Sequence, residues 1–412
     1  MFTGPHYQRV LPAVILAIAG MMLTGGARSV FCRQAMPAES AKSVSSGNNQ
    51  FAFDLFKNVA SDKNANVFFS PVSISTALAM AYAGSRGETQ KQMAQVLHFT
   101  ATEQQVASGF QSLLASLAQP ANGAYQLQVA NALWAQQGTQ FHPEFVSVMH
   151  TYYSGDFRTI DFAQTNQSLA TINRWVADKT SGKIAQLLQP GDVDAHTRLV
   201  LTNAVYFNGT WTAPFEESLT EPGAFTTGNG TSKQVHFMHR TGFFPYVLAG
   251  SWQILELPYK GDELEMLVLL PSAEAHDPWA GFTWAKLRQL QAEMKNTNVA
   301  LSLPKFKVEA RLSLAPTLSD MGMPDAFDQS ADFSGMTGKE RWLISAVVHE
   351  AVVDVNEKGT EAAAATGVVM RPTVALPVRP VVFRADHPFL YVILHKPSDS
   401  ILFMGRLSNP PE

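Results

Sequence analysis

A single cysteine, Cys32, stands in a chain of 412 residues. That excludes a disulfide framework and any cysteine-rich zinc or iron–sulfur site. A surplus of charge is also missing: 30 Lys and Arg face 34 Asp and Glu, a net −4. No excess of cations is available to neutralise phosphates, which argues against nucleic-acid binding. The chain has no Gly-x-Ser-x-Gly elbow, no Walker loop, no helical pair of metal-binding histidines and no dinucleotide fingerprint. Beyond Ser46 it has no low-complexity linker, fixed-period repeat or charge block to mark a domain boundary. What is present is apolar: 46 % hydrophobic against 16 % charged residues, enough for one large globular domain with a sizeable core.

Long apolar runs are absent too. The clearest, Val10 to Leu23, follows His6 and Arg9 and leads into Thr24-Gly25-Gly26-Ala27. It is short for a membrane span of about 20 residues. It reads as a secretory signal peptide with an N-terminal extension over residues 1–38, cleaved after Ala27 or Ala38. The other reading is an uncleaved N-terminal anchor. Bulky Phe31 before Cys32 speaks against lipid attachment, which wants a small residue there. The mature chain is thus expected to be secreted, extracellular or periplasmic.

Helical spacing occurs at Phe51, Leu55, Phe56 and Val59, at Phe110, Leu113, Leu114 and Leu117, and at Leu169, Ile172, Trp175 and Val176. The last stretch stops near Gly182. Strand-like runs follow at 199–207, 252–257, 264–270, 299–308, 343–355, 389–395 and 401–405. Helices first and strands later suggest an α+β fold with antiparallel or mixed sheets.

Two apparent chemical motifs are weak. Ser302-Leu303-Pro304-Lys305 matches the Ser-x-x-Lys of penicillin-recognising enzymes, and Lys179-Thr180-Ser181 faintly resembles their second motif. Ser302 nevertheless lies in a strand-like, proline-containing segment after its supposed partner. His236-x-x-His239 could offer two metal ligands, but no carboxylate or cysteine cluster accompanies it, and no cofactor is implied. Asn166, Asn208 and Asn229 begin Asn-x-Ser/Thr triplets, which matter only in a glycosylating host.

One segment stands apart. From Glu357 to Val374 the chain begins polar, passes through four alanines at 362–365, and ends apolar, with Pro372, Pro377 and Pro380 beyond. Alanines favour helix, but Gly359 and Gly367 flank them. A small, proline-punctuated stretch between two strong strands reads as an exposed loop. Small side chains also let such a segment slide between neighbouring strands.

The stretch Val355-Asn356-Glu357-Lys358-Gly359-Thr360-Glu361-Ala362-Ala363-Ala364-Ala365-Thr366 resembles the reactive-loop hinge of the serpins, the serine-protease-inhibitor superfamily. Asn66-Val67-Phe68-Phe69-Ser70-Pro71-Val72-Ser73-Ile74 is similar to the start of that family's second helix. Leu201-Thr202-Asn203-Ala204-Val205-Tyr206-Phe207-Asn208-Gly209-Thr210-Trp211 is similar to its central strand. Phe383-Arg384-Ala385-Asp386-His387-Pro388-Phe389 and Phe403-Met404-Gly405-Arg406 resemble its C-terminal signature. These segments occur in the family's order across nearly the whole chain.

The resemblance implies a serpin fold over 47–412, with three β-sheets, about nine helices and a reactive loop at about 357–380. It implies a bacterial-type secreted inhibitory member. Such a member is a monomer and not an enzyme. It traps a serine protease covalently by inserting its cleaved loop into the central sheet. Glu357, Gly359, Thr360, Glu361, Ala362, Ala363, Ala364, Ala365 and Thr366 match the hinge. Ser70, Ser73, Asn203 and His349 match a switchable polar cluster, the shutter. Trp211 and Lys305 match the breach, where the loop enters, with Lys305 pairing Glu357.

Counting 15 residues from Gly359 puts the bait bond at Thr373–Val374, whereas counting back from Pro388 lands nearer Pro377. Arg371 would suit a trypsin-like protease, but Pro372 follows it. Thr373, Val374 and Ala375 fit the shallow pocket of an elastase-like or subtilisin-like protease. The alternative is a non-inhibitory serpin acting as a binding or chaperone module, whose hinge would carry bulky or charged residues instead of alanines.

Overall fold

The apolar positions Phe51, Leu55 and Phe56 are all buried on a helix that begins at Pro37, ahead of the expected start at 47. The computed structural model describes residues 37–411, apart from 119–124, 154, 276–277, 339–341 and 361–378. In chain order the helices are α1 (Pro37–Val59), α2 (Pro71–Tyr82), α3 (Gly87–Val96), α4 (Glu103–Leu117), α5 (Pro143–Tyr152), α6 (Thr165–Lys179), α7 (Trp284–Ala292), α8 (Ala315–Asp320) and α9 (Ser334–Thr337). The strands are β1 (Val67–Phe69), β2 (Tyr125–Gln136), β3 (Asp156–Ile160), β4 (Leu199–Thr210), β5 (Glu221–Thr226), β6 (Ser232–Ala249), β7 (Trp252–Pro258), β8 (Leu264–Pro271), β9 (Lys295–Pro304), β10 (Phe306–Ser313), β11 (Ala346–Asn356), β12 (Gly359–Thr360), β13 (Val381–Arg384), β14 (Phe389–His395) and β15 (Ser400–Leu407).

Among the described residues the strands form two hydrogen-bonded arrays. The six-stranded array runs β10-β11-β12-β4-β2-β3. The nine-stranded one runs β1-β15-β14-β8-β7-β6-β9-β13, with β5 on β6. One long strand links its two ends: Tyr246 of β6 pairs with Leu255 of β7 and with Lys295 of β9. Among the described residues the pairing thus gives two continuous sheets where three are expected, because β6 hydrogen-bonds to both β7 and β9 and joins what would be the second and third.

The 299–308 run is not one strand. It breaks at Lys305, where the chain leaves β9, paired with β6, and enters β10, paired with β11 in the other array. An apolar run records burial and not which sheet buries it. Strands β2 and β6 escaped the periodicity reading because their inward residues are interrupted by polar or exposed ones, such as Asn131 and Phe243.

The main core lies between the two arrays and around α2, every residue of which is buried. Such a helix is stabilised by its surroundings and not by one apolar stripe. A smaller core covers the other face of the six-stranded array beneath α6, where Trp134 and Trp175 meet edge to face at 5.4 Å. Arg311 of β10 fastens the segment after α6 to this face, donating to the Leu187 carbonyl at 2.7 Å and pairing with Asp192.

Candidate functional site

β4 and β11 are the central neighbours of the six-stranded array, and they run parallel. Ala346–Val352 pairs in register with Val200–Tyr206. Above Val352 the two strands separate, and β12 occupies the opening. Thr360 lies opposite Val355 on one side and Gly209 on the other, antiparallel to both. The hinge residues Gly359 and Thr360 thus already form a strand between β4 and β11.

Local sequence explains the close fit. A Cβ on Gly359 would lie 2.1 Å from the Gly209 carbonyl oxygen, so only glycine allows this approach. The Thr360 hydroxyl meets Tyr259 Oη at 2.7 Å inside the main core. Trp211 closes the end of the opening. Its ring stacks on Tyr259 at 4.5 Å, and its indole N–H donates to the Asn356 carbonyl at 3.0 Å. The backbone N–H groups of Trp211 and Phe215 donate to Lys358 O and Glu357 O.

Glu357 is held from two sides. Lys305 Nζ lies 3.0 Å from Oε2, and Thr220 Oγ1 donates to Oε1 at 3.0 Å. Burial alone would raise this carboxyl, but its own backbone N–H, Lys305 and Thr220 outweigh burial and hold it below the ordinary range. The group is an anion at neutral pH, tied to the strand crossing at Lys305.

Lower in the same slot, the structure brings Ser70, Ser73, Asn203 and His349 together and adds a fifth member, Asn131. Asn131, Asn203 and His349 stand side by side on β2, β4 and β11. Asn203 Nδ2 donates to Asn131 Oδ1 and to Ser73 Oγ, and Ser73 Oγ donates to Asn131 Oδ1 at 2.8 Å. The Ser70 backbone N–H donates to His349 Nε2 at 3.1 Å. That nitrogen must therefore be bare, so Nδ1 carries the proton and donates to Asn203 Oδ1. Complete burial pushes the imidazole down to about 3, which keeps it neutral and the network self-consistent. Ser70 also caps α2, accepting from Ser73 N at 3.4 Å, so the helix start and the strand pair share one network.

Sequence reasoning missed Asn131, Tyr259 and Thr220. An amide set within the apolar run from Val129 to Ala135 was the available signal for Asn131; nothing local marks the other two. Glu361, Ala362, Ala363, Ala364, Ala365, Thr366 and the expected bait bond Thr373–Val374 lie outside the described residues.

The rival motifs dissolve. His236 and His239 sit three apart on β6, an odd spacing that sends them to opposite faces. His239 Nδ1 is 2.9 Å from Ser302 Oγ, and Lys305 serves Glu357. Among the described residues no cluster of three His, Cys, Asp or Glu is placed to hold a metal ion, and no helix is long and apolar enough to cross a membrane.

Residues 46–410 match the family profile described as serpin (serine protease inhibitor). A leukocyte elastase inhibitor of Bos taurus is 41 % identical over 380 residues, covering 89 % of this chain and 99 % of that protein. An uncharacterised serpin-like protein of Thermococcus kodakarensis is 41 % identical over 375 residues, covering 90 % and 87 %. The crystal structure of uncleaved ovalbumin superposes with a TM-score of 0.81 at 32 % identity, covering 89 % of this chain and all of that one.

Proposed function

Since the chain belongs to the serpin family of serine protease inhibitors, we propose that it works as a suicide substrate cut between Thr373 and Val374. The protease serine attacks the Thr373 carbonyl carbon, the bond to Val374 breaks, and the Val374 amine leaves with a proton from the protease's histidine. An ester to Thr373 remains. The freed segment from Glu361 onward then continues the strand that Gly359 and Thr360 have begun. The observation that carries this reading is the hinge itself, already paired antiparallel to both β4 and β11.

Register makes the product specific. Each residue added beyond Thr360 moves one position down β4 from Gly209 and one down β11 from Val355. Residue 370 then comes opposite Leu199, where β4 ends, and Thr373 emerges three residues past it. Over 15 residues at about 3.3 Å the ester is carried roughly 50 Å. That is about the diameter of a domain of this size, on the order of 55 Å. Ala362, Ala364, Thr366, Val368 and Met370 share the face of Thr360 and would enter the main core. Glu361, Ala363, Ala365, Gly367 and Val369 would face the α6 side. No bulky charged side chain lies on the core-facing set.

Insertion replaces a parallel pair with two antiparallel ladders, the more stable pairing per residue. The starting state is therefore metastable. Glu357 with Lys305, and the Asn203–His349 contact, are the restraints that keep the slot shut beforehand.

Small residues around the bait bond support an elastase-like or subtilisin-like target. The Bos taurus relative is named for leukocyte elastase, which agrees with that choice. Secretion is supported by the apolar run 10–23 behind His6 and Arg9. Cleavage after Ala27 leaves α1 whole, whereas cleavage after Ala38 would cut its first turn.

The test is incubation with pancreatic elastase, subtilisin and trypsin, read by denaturing gel and intact mass. A boiling-resistant complex with elastase or subtilisin and a released peptide beginning at Val374 are expected. Complete cleavage without any complex would move the chain to the binding-module alternative.

A further inference from the structure

Three large apolar side chains among the described residues are about two-thirds exposed: Phe243 at 68 %, Leu248 at 66 % and Val382 at 65 %. Two of them share a surface. In the β6-β9-β13 ladder, Thr241 pairs with Ala300 and Ala300 with Val382, so these three point the same way. Phe243 is two residues along β6 from Thr241, on the same face, opposite Asn298. The adjoining row confirms the facing: His239 reaches Ser302 at 2.9 Å, and Ser302 pairs with Arg384, whose guanidinium covers the Phe237 ring at 5.0 Å. Two inter-strand steps and two residues of rise set Phe243 and Val382 about 12 Å apart, with Ala300 and Thr241 between them. The opposite face carries the buried residues Val299, Leu301, Phe244 and Phe383. Isolated exposed apolar residues are ordinary; a pair framing one small, flat face at a sheet edge is a candidate contact surface.

Its place in the chain says what would cover it. Arg379 follows the segment 361–378, and Val382 lies three residues on, in the edge strand β13. From Val374 to Val382 is eight residues, at most about 27 Å of chain. A protease domain of some 240 residues has a radius of about 23 Å. A protease holding the bait bond in its cleft is therefore within reach of the face that starts directly beyond the loop.

We propose that Phe243 and Val382 form a secondary docking surface for the target protease, gripping its body outside the cleft while the loop is being cut. This rests on the suicide-substrate reading and assigns it a second contact. The contact is made in the encounter and is lost when the loop inserts and the protease leaves this pole. It should therefore speed complex formation without altering how acyl-enzyme divides between trapping and escape. The occupant is a serine protease with an apolar patch beside its cleft.

The test compares the wild-type chain with the double variant Phe243→Ser, Val382→Thr and with Leu248→Ser, an equally exposed apolar position outside this face. Second-order rates of complex formation are measured with pancreatic elastase and with subtilisin. Thermal midpoint and stoichiometry of inhibition are measured alongside. The double variant is expected to react about tenfold more slowly with at least one protease, with midpoint and stoichiometry unchanged and Leu248→Ser at the wild-type rate. Rates within twofold of wild type for both proteases overturn the docking surface and leave the inhibitor reading intact. An equal loss in Leu248→Ser overturns it as well, since the effect is then general surface apolarity. If the wild-type chain forms no complex with either protease, the underlying reading falls and the docking surface with it.

Discussion

Asn203 and His349 face each other across the parallel strands β4 and β11, joined by a hydrogen bond from the imidazole Nδ1 to the amide oxygen. Any strand that enters between β4 and β11 must break this bond. By the register begun at Thr360, the residue that takes its place is Thr366, whose hydroxyl can accept from His349 and donate to Asn203. Replacing Thr366 with Val should leave the uncleaved chain unchanged. It should destabilise the loop-cleaved form by about 1–3 kcal/mol, the cost of leaving buried groups without partners. Denaturant midpoints of the two forms check this, and equal losses in both would refute the register.

Asn203→Ala removes the centre of the row in the uncleaved chain, stranding His349 Nδ1 and leaving Asn131 Oδ1 with Ser73 Oγ as its remaining donor. A loss of about 2–4 kcal/mol follows. At an unfolding entropy of roughly 0.8 kcal/mol/K for a domain this size, the midpoint should fall by about 3–5 °C. Calorimetry at neutral pH is the check.

Charge on the core-facing side of the hinge should convert inhibitor to substrate. Ala364→Arg would carry an unpaired guanidinium into the main core, a penalty of several kcal/mol against insertion. The variant should be cut by elastase at the wild-type rate and the protease released active, with the stoichiometry of inhibition rising many-fold. Ala363→Arg, on the α6 side, should be the milder change of the two.

Lys305→Ala releases one side of Glu357. Lys305 is 47 % exposed, so the pair itself contributes only about 0.5–1 kcal/mol. Glu357→Gln should weaken the Thr220 contact as well and lower the midpoint further. In both variants, conversion to an inactive, loop-inserted or polymerised form on mild heating should be faster than in the wild type. Native gels over time would reveal an unchanged rate if the restraint is idle.

Two buried groups on β11 should pull the acid stability in opposite directions. His349 is held near 3 by burial, against about 6.5 when unfolded. It favours the folded state above 6.5, and that stability is lost as pH falls toward 3. Burial, then the neighbouring Glu309, pushes Glu350 up to about 7 although Arg311 opposes them. Its contribution is present below about 4.5 and lost as pH rises toward 7. Relative to Glu350→Gln, the wild type should therefore lose about 1.4 kcal/mol per pH unit as pH rises between 4.5 and 7. Relative to His349→Gln, it should lose a similar amount per unit as pH falls below 6.5. Urea unfolding from pH 4 to 8 tests both signs.

Gly359, Thr360, Trp211, Ser70, Ser73 and Asn203 were legible because each sits in a local run of sequence, whereas Lys305 and His349 lie outside those runs and came only with the family resemblance. Asn131, Tyr259 and Thr220 were not, because what makes them part of the site is cross-strand pairing between segments far apart in the chain. The break at Lys305 was hidden for a related reason: β9 and β10 are both apolar, and only their partners, β6 and β11, tell them apart. Phe243 was overlooked because apolar residues are read as inward unless a register shows otherwise.

Strand insertion itself is tested most directly by the thermal midpoint of the chain before and after cleavage in the reactive segment by a protease it does not trap. Insertion adds roughly fifteen backbone hydrogen bonds at about 0.5–1 kcal/mol each, on the order of 10 kcal/mol. The cleaved, still-associated chain should therefore melt on the order of 10–15 °C higher than the uncleaved one. A midpoint that stays the same or falls after cleavage would contradict insertion between β4 and β11.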